Sequence, residues 1–363
     1  MTKFKYLYLD DENDASTAAI ADGLKILNLI DVVPEEPREF GNQMVDLRKR
    51  LNEFDGLILD LRLDGKKLNI SYNAPAIAQE LRKIAAEGGI KSCPIILCST
   101  DEKMKATYEV EKICHEHFDY TFTKQSSSPW EKFAKKLASL ANGYHIIPSL
   151  KGDLHEILKR SDLEILDPRI LENFIGFQHP LPVYEYASFI IKDLFHQQGP
   201  LIKESLLAAR LGIDINESKD WQKLLDHHFI AAKYIGIFSD GWTRWWADLI
   251  IQRFKEISGG QRLNMLNADE RIKLLIKITG ISNLVAAKPT KYNRSSNFWS
   301  ICEAFKTPLD PLEGFKIHTS IEPKSWQEHK FISLEAVLEK KGPKPHSSEL
   351  YRINLLKEEL KAK

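Results

Sequence analysis

The chain has 363 residues, with 51 Lys and Arg against 51 Asp and Glu, so its formal net charge is zero and no global field draws it to nucleic acid or an anionic membrane. Hydrophobic residues at 43% and charged residues at 28% describe a globular chain long enough for roughly two or three domains. Four cysteines over this length exclude a disulfide framework.

The opening, Met1 to Tyr6, runs into Asp10, Asp11 and Glu12 and lacks the pattern of a signal peptide. No apolar run is long enough to span a bilayer, so a cytoplasmic protein without membrane attachment is expected. Lys5 to Leu9 is the first predicted strand, followed by the acidic triplet. Asp14 to Asn28 carries Ala19, Ile20, Leu24 and Leu27 at helical spacing. Ile30 to Val33 is a second strand that Pro34 is expected to end. Gln43 to Phe54 reads as a helix with Met44, Leu47, Leu51 and Phe54 on one face.

Asp55 to Asp60 is a continuous apolar strand closed by one carboxylate, the pattern of the centre of a parallel sheet covered on both faces. The chain then breaks at Gly65, and residues 66–73 are polar and turn-rich. Ala74 to Ala86 is helical. Cys93 to Cys98 is a strand closed by Ser99, with both cysteines expected as small core residues. Asp101 caps a helix to about His117. Phe118 to Thr123 is the last strand, and Lys124 follows it. Pro129 opens a helix from Trp130 to Ala141. Strand and helix alternate five times, which predicts a doubly wound, five-stranded parallel α/β sheet.

In such a sheet the carboxyl ends of all strands share one edge, where open α/β sheets place their ligands. Asp10, Asp11, Asp60, Ser99 and Lys124 all fall at such ends. Three carboxylates, a hydroxyl and a lysine suit Mg²⁺ and a phosphoryl group, with Asp60 as nucleophile and Ser99 and Lys124 on the phosphoryl oxygens.

These residues, in the runs Leu9 to Glu12, Leu59 to Gly65, Pro94 to Thr100 and Asp119 to Lys124, resemble the receiver domain of two-component response regulators. The resemblance covers about the first 140 residues and implies a flavodoxin-like fold. It implies that Asp10 and Asp11 hold Mg²⁺ together with Asp60 and the main-chain carbonyl of Arg62. It also implies that Asp60 accepts phosphate from a phosphohistidine on a histidine kinase or phosphotransfer protein, with Ser99 and Lys124 reading out the phosphate. Such phosphorylation is self-catalysed, so no turnover enzyme is expected. Three positions depart from the pattern: Gln125 stands where proline follows the lysine, Thr121 where an aromatic switch residue is usual, and Leu63 to Gly65 where a proline-glycine turn is usual.

The expected domains are 1–142, the receiver-like phosphoacceptor, and 153–363, a mainly α-helical output domain of unrecognised type, separated by Gly143, Pro148 and Gly152. Helical spacing recurs over 154–163, 183–196, 203–211, 219–229, 245–257 and 269–279, and a charged helix closes the chain over 348–361. Output through an unknown protein partner is the leading expectation. Ser205 to Leu225 also resembles a helix-turn-helix, with Tyr234 to Trp242 as its wing, so a DNA-binding transcriptional regulator is one alternative. A degenerate receiver serving as an interaction module is another. Gly241 to Trp246 gathers three tryptophans, expected in the core. Ser258 to Gln261 is expected to be a helix-ending turn, because the chain has no phosphate-binding loop. Cys114 to His117 and Asp226 to His228 lack partners at zinc spacing, and Lys288 to Arg294 is a basic loop.

Overall fold

The computed structural model describes residues 3–12, 14–63, 70, 72–100, 116–124, 128–177 and 179–362. Most of the helix expected after Asp101, together with Gly65, Cys114 and Gln125, lies outside them. Tertiary contacts divide the chain into two compact units. The first is Met1–Ile165 with Leu171–Asp193 and Ile235–Trp242; the second is Leu166–Ile170, Leu194–Tyr234 and Thr243–Lys363.

In the first unit, five strands form one sheet: β1 (Phe4–Leu9), β2 (Ile30–Glu35), β3 (Gly56–Asp60), β4 (Ile95–Ser99) and β5 (Tyr120–Thr123). Their order is β2-β1-β3-β4-β5 and every pairing is parallel. β3 and β4 are buried at every residue, as their unbroken apolar sequences require. Among the described residues, helices α1 (Asp14–Leu24), α2 (Phe40–Arg50), α3 (Ala74–Ala86) and α4 (Trp130–Ile146) accompany the sheet. Glu39 starts α2 by accepting from the N–H groups of Gly41 and Asn42, and Asn73 starts α3 by accepting from Ala76.

Three boundaries differ from expectation for identifiable reasons. β2 passes through Pro34, which pairs with Tyr8, because β2 is an edge strand and proline is tolerated there. α1 stops at Leu24, and the chain turns through Asn28 at φ 57°. α4 continues through Gly143 to Ile146, so the domain limit expected at 142 falls inside a helix. Gly143 is there for packing, since a Cβ would overlap the Phe238 ring. The chain turns at Lys151 and Gly152, both with positive φ.

The second unit is mainly helical, with three short antiparallel pairs: Leu201–Ile202 with Trp245–Trp246, Ser300–Ile301 with Pro308–Leu309, and Phe315–Lys316 with Phe331–Ile332. Its main core includes Leu207, Trp221, Phe229, Trp245 and Phe254. Trp245 and Trp246 are buried here, as is Trp242 in the first unit, and Gly259 and Gly260 adopt positive φ in the turn after helix Ala247–Ile257. The segment of the winged-helix alternative shows antiparallel pairing of Leu201–Ile202 with Trp245–Trp246 and a bridge from Lys233 to Trp245. Its second helix is a single α-turn, Trp221–Leu224, that widens into a π-helical stretch, and Tyr234 to Trp242 contains turns and no strand.

At the amino edge of the sheet, Arg82 on α3 reaches Asp119 at 2.6 Å just before β5, both buried. Asp119 also accepts from the Tyr144 hydroxyl at 2.6 Å and the Ile95 N–H at 2.8 Å. Arg82 donates in turn to the carbonyls of Cys93 and His117. Breaking a buried pair by removing one partner strands the other charge. Asp119→Ala is therefore expected to lower unfolding free energy by about 3 kcal/mol, measured by urea denaturation of the full chain.

Candidate functional site: an acidic edge bridged by a lysine

Strand register assembles this site. Leu9 pairs with Leu59, so Asp10 and Asp60, each one residue further on, end adjacent strands. Asp60 pairs with Cys98 on the next strand, and Ser99 pairs with Thr123, immediately before Lys124. Asp10 is 1% exposed, and Asp60 and Ser99 are 0% exposed. All five polar residues expected at the carboxyl edge are thus gathered there, with Asp11 half-buried beside them.

The Lys124 ammonium lies 2.5 Å from Asp10 Oδ2 and 2.8 Å from Asp60 Oδ1, with Glu12 Oε1 at 3.7 Å. Burial pulls its pKa down, but the charges of Asp60 and Asp10 outweigh this and the net shift is upward, so the ammonium stays charged. Among the described residues, the Lys124 ammonium is the cation placed against Asp10, Glu12 and Asp60, which leaves an excess of negative charge. The backbone closes around these acids: Glu12 N–H donates to Asp10 Oδ1 at 2.9 Å and Arg62 N–H to Asp60 Oδ2 at 3.1 Å. Among the described residues the fully buried Ser99 hydroxyl has no hydrogen-bond partner, an arrangement that costs free energy unless another group uses it.

Tyr8 belongs to the site and was not anticipated. Its buried hydroxyl donates to Asp10 Oδ2, the oxygen that also receives Lys124, and burial pushes the phenol pKa well up. The available signal was spacing alone: residues i and i+2 of a strand share a face, so Tyr8 accompanies Asp10. Cys98 sits in β4 as a buried thiol with its pKa pushed up by burial, consistent with a core role. On β5, Thr121 lies between Tyr120, which meets Trp242 edge-on at 5.9 Å, and Phe122, which packs on Phe133 at 4.8 Å. Phe122 is buried in this cluster.

Asp10, Asp11 and Asp60 each offer a carboxylate oxygen, and these lie within 4.8 Å of one another. Among the described residues this is the one such cluster of His, Cys, Asp or Glu, so Asp226, His227 and His228 assemble no metal site. Three hard oxygen donors with uncompensated negative charge fit a hydrated divalent cation such as Mg²⁺. Lys124→Met should leave two buried carboxylates without their cation and cost about 3 kcal/mol in divalent-free buffer. Millimolar MgCl₂ should restore most of that loss in urea titrations, and should stabilise the variant more than the parent.

No family model matches the sequence, and no curated protein is similar to it. Several solved structures are similar to part of the chain. One is the receiver domain of the Saccharomyces cerevisiae response regulator Ssk1, crystallised with the histidine phosphotransfer protein Ypd1. It is 14% identical, with a TM-score of 0.29, over 39% of this chain and 90% of that one. A response regulator receiver domain protein from Clostridium thermocellum is 16% identical, with a TM-score of 0.27, over 40% and 98%. The phosphorylated cyanobacterial phytochrome response regulator RcpA is 18% identical, with a TM-score of 0.24, over 41% and 94%. The first unit's sheet is five-stranded and parallel, in the order β2-β1-β3-β4-β5.

Proposed function

We propose that the first unit is a phosphoacceptor of the response-regulator type, taking its phosphoryl group from a phosphohistidine on a histidine kinase or phosphotransfer protein. The observation that carries this reading is the pairing of Asp60 with Lys124 beside an unpartnered, fully buried Ser99 hydroxyl. An Asp60 carboxylate oxygen attacks phosphorus, and the P–N bond breaks with its electron pair returning to the ring. From a phosphohistidine protonated on its other nitrogen, the imidazole leaves neutral and an aspartyl phosphate remains.

Lys124 masks part of the negative charge that repels the incoming phosphoryl group, then pairs with one of its oxygens. The Ser99 hydroxyl donates to another, which satisfies its lone donor. Asp10, Asp11, Asp60 and the Arg62 carbonyl are the groups that would hold Mg²⁺. Bound there, the ion supplies positive charge to the phosphoryl oxygens. Asp10 is kept in place by Tyr8 and by the Glu12 N–H. On this reading the chain is a self-catalysed phosphoacceptor rather than a turnover enzyme.

Output is proposed to pass by protein contact through the second unit. The zero formal net charge, which gives no basic field for phosphates, favours this over the winged-helix, duplex-DNA alternative.

Incubation of the full chain with MgCl₂ and acetyl phosphate should add the mass of one phosphoryl group. Beryllofluoride with Mg²⁺ should raise the melting temperature, by the equivalent of about 2.7 kcal/mol at a hundredfold excess over Kd. Asp60→Ala should show neither effect. A parent chain that gains no mass, or an equal gain in Asp60→Ala, would leave only the interaction-module alternative.

A further inference from the structure

β1 carries two fully buried tyrosines, Tyr6 and Tyr8, on the face that continues to Asp10. The Tyr6 hydroxyl donates to the main-chain carbonyl of Leu137 on α4 at 2.7 Å, a tie between strand and helix. The Tyr8 hydroxyl instead donates to Asp10 Oδ2. Its ring centre lies 5.9 Å from the Lys124 ammonium. Phosphoryl acceptance at this edge uses acids, a lysine and the Ser99 hydroxyl; a phenol on the first acid is an addition to that set.

Asp10 is crowded with donors. Among the described residues, its Oδ1 accepts from the Glu12 N–H at 2.9 Å, and its Oδ2 accepts from Tyr8 and from Lys124, the latter at 2.5 Å. A carboxylate oxygen offers about two lone-pair sites, so Oδ2 is full. A cation bonded directly to Oδ2 must displace one of its two donors. Lys124 is the costlier one to move, because it also lies 2.8 Å from Asp60 Oδ1 and its departure leaves two buried carboxylates short of charge. Tyr8 is neutral, and its departure costs one charge-assisted hydrogen bond. Asp10 keeps its orientation without Tyr8, since the Glu12 N–H and Lys124 still hold one oxygen each.

We propose that the Tyr8 hydroxyl and a divalent cation compete for Asp10 Oδ2, so that Tyr8 sets the Mg²⁺ concentration at which the acidic edge fills. This rests on the reading of that edge as a Mg²⁺ site. Tyr8 stabilises the metal-free edge by donating to a buried carboxylate, and that contribution is lost when the cation takes its place. Tyr8 is a positioning residue that acts through Asp10 and opposes the metal.

The test strips the full chain of metal with chelator, then titrates MgCl₂ at constant ionic strength, with binding read by calorimetry and by melting temperature. Tyr8→Phe should melt below the parent in chelator yet bind Mg²⁺ roughly tenfold tighter, the worth of one charge-assisted hydrogen bond. Tyr6→Phe, which loses a buried hydroxyl on the same face, should also melt lower while keeping the parent's Kd. A Tyr8→Phe chain that folds only with MgCl₂ reads the same preference, since the cation then replaces the missing donor. If neither the parent nor Tyr8→Phe responds to MgCl₂, the metal reading and this proposal fall together. A parent that binds while Tyr8→Phe binds equally or more weakly, or stays unfolded with and without MgCl₂, would overturn this proposal alone. Equal tightening in Tyr6→Phe would overturn it as well, by tracing the gain to a loosened strand.

Discussion

Lys124 reaches from the end of β5 to carboxylates at the ends of β1 and β3, and its ammonium is the charge that Asp10 and Asp60 share. Two carboxylates this deeply buried require compensation, because an unpaired ion in a low-dielectric interior costs several kcal/mol. Among the described residues one lysine meets that need only in part, and negative charge remains at the edge. The same contact fixes register. A one-residue slip of β3 would send Asp60 to the opposite face and leave Lys124 with half its partners. Sheet order, burial and chemistry therefore depend on one another at this point.

β5 is short, only Tyr120–Thr123, yet it is anchored at both ends by buried charge. Asp119 is tied to Arg82 and Tyr144 at the amino end, and Lys124 to the two acids at the carboxyl end. Between these anchors the aromatic residues are Tyr120 and Phe122, on either side of Thr121. The Lys136 ammonium lies 4.5 Å from the Tyr120 ring centre and 5.2 Å from that of Trp242. The bulk that the family resemblance expects at position 121 is thus carried by its neighbours, in a cluster with Phe133 and Trp242.

Much of the first unit was legible because its signals are local. Apolar runs bounded by turn residues located β1, β3 and β4, and the spacing of Asp10, Asp60, Ser99 and Lys124 located the site, since parallel strands deliver their carboxyl ends to one edge. Tyr8 was not legible, because a tyrosine in an apolar strand reads as core until its hydroxyl is seen on Asp10. The Arg82–Asp119–Tyr144 network escaped for a related reason. Its members are separated by 37 and 25 residues, and nothing in the spacing of an arginine on a helix reveals which buried acid it meets.

Gly143 shows how a local rule misleads when the cause is distant. Glycine within a helix costs about 1 kcal/mol relative to alanine, so its presence reads naturally as a break. Here the helix continues, and the missing side chain makes room for Phe238, nearly one hundred residues later in the chain. Gly241 repeats the pattern, since a Cβ there would press on Ser139, whose hydroxyl donates to Asp240. The segment Ile235–Trp242 is therefore shaped by close packing on α4 within the first unit. Gly143, one of the residues that suggested a domain boundary, is better explained as a contact surface between α4 and the segment Ile235–Trp242 within the first unit.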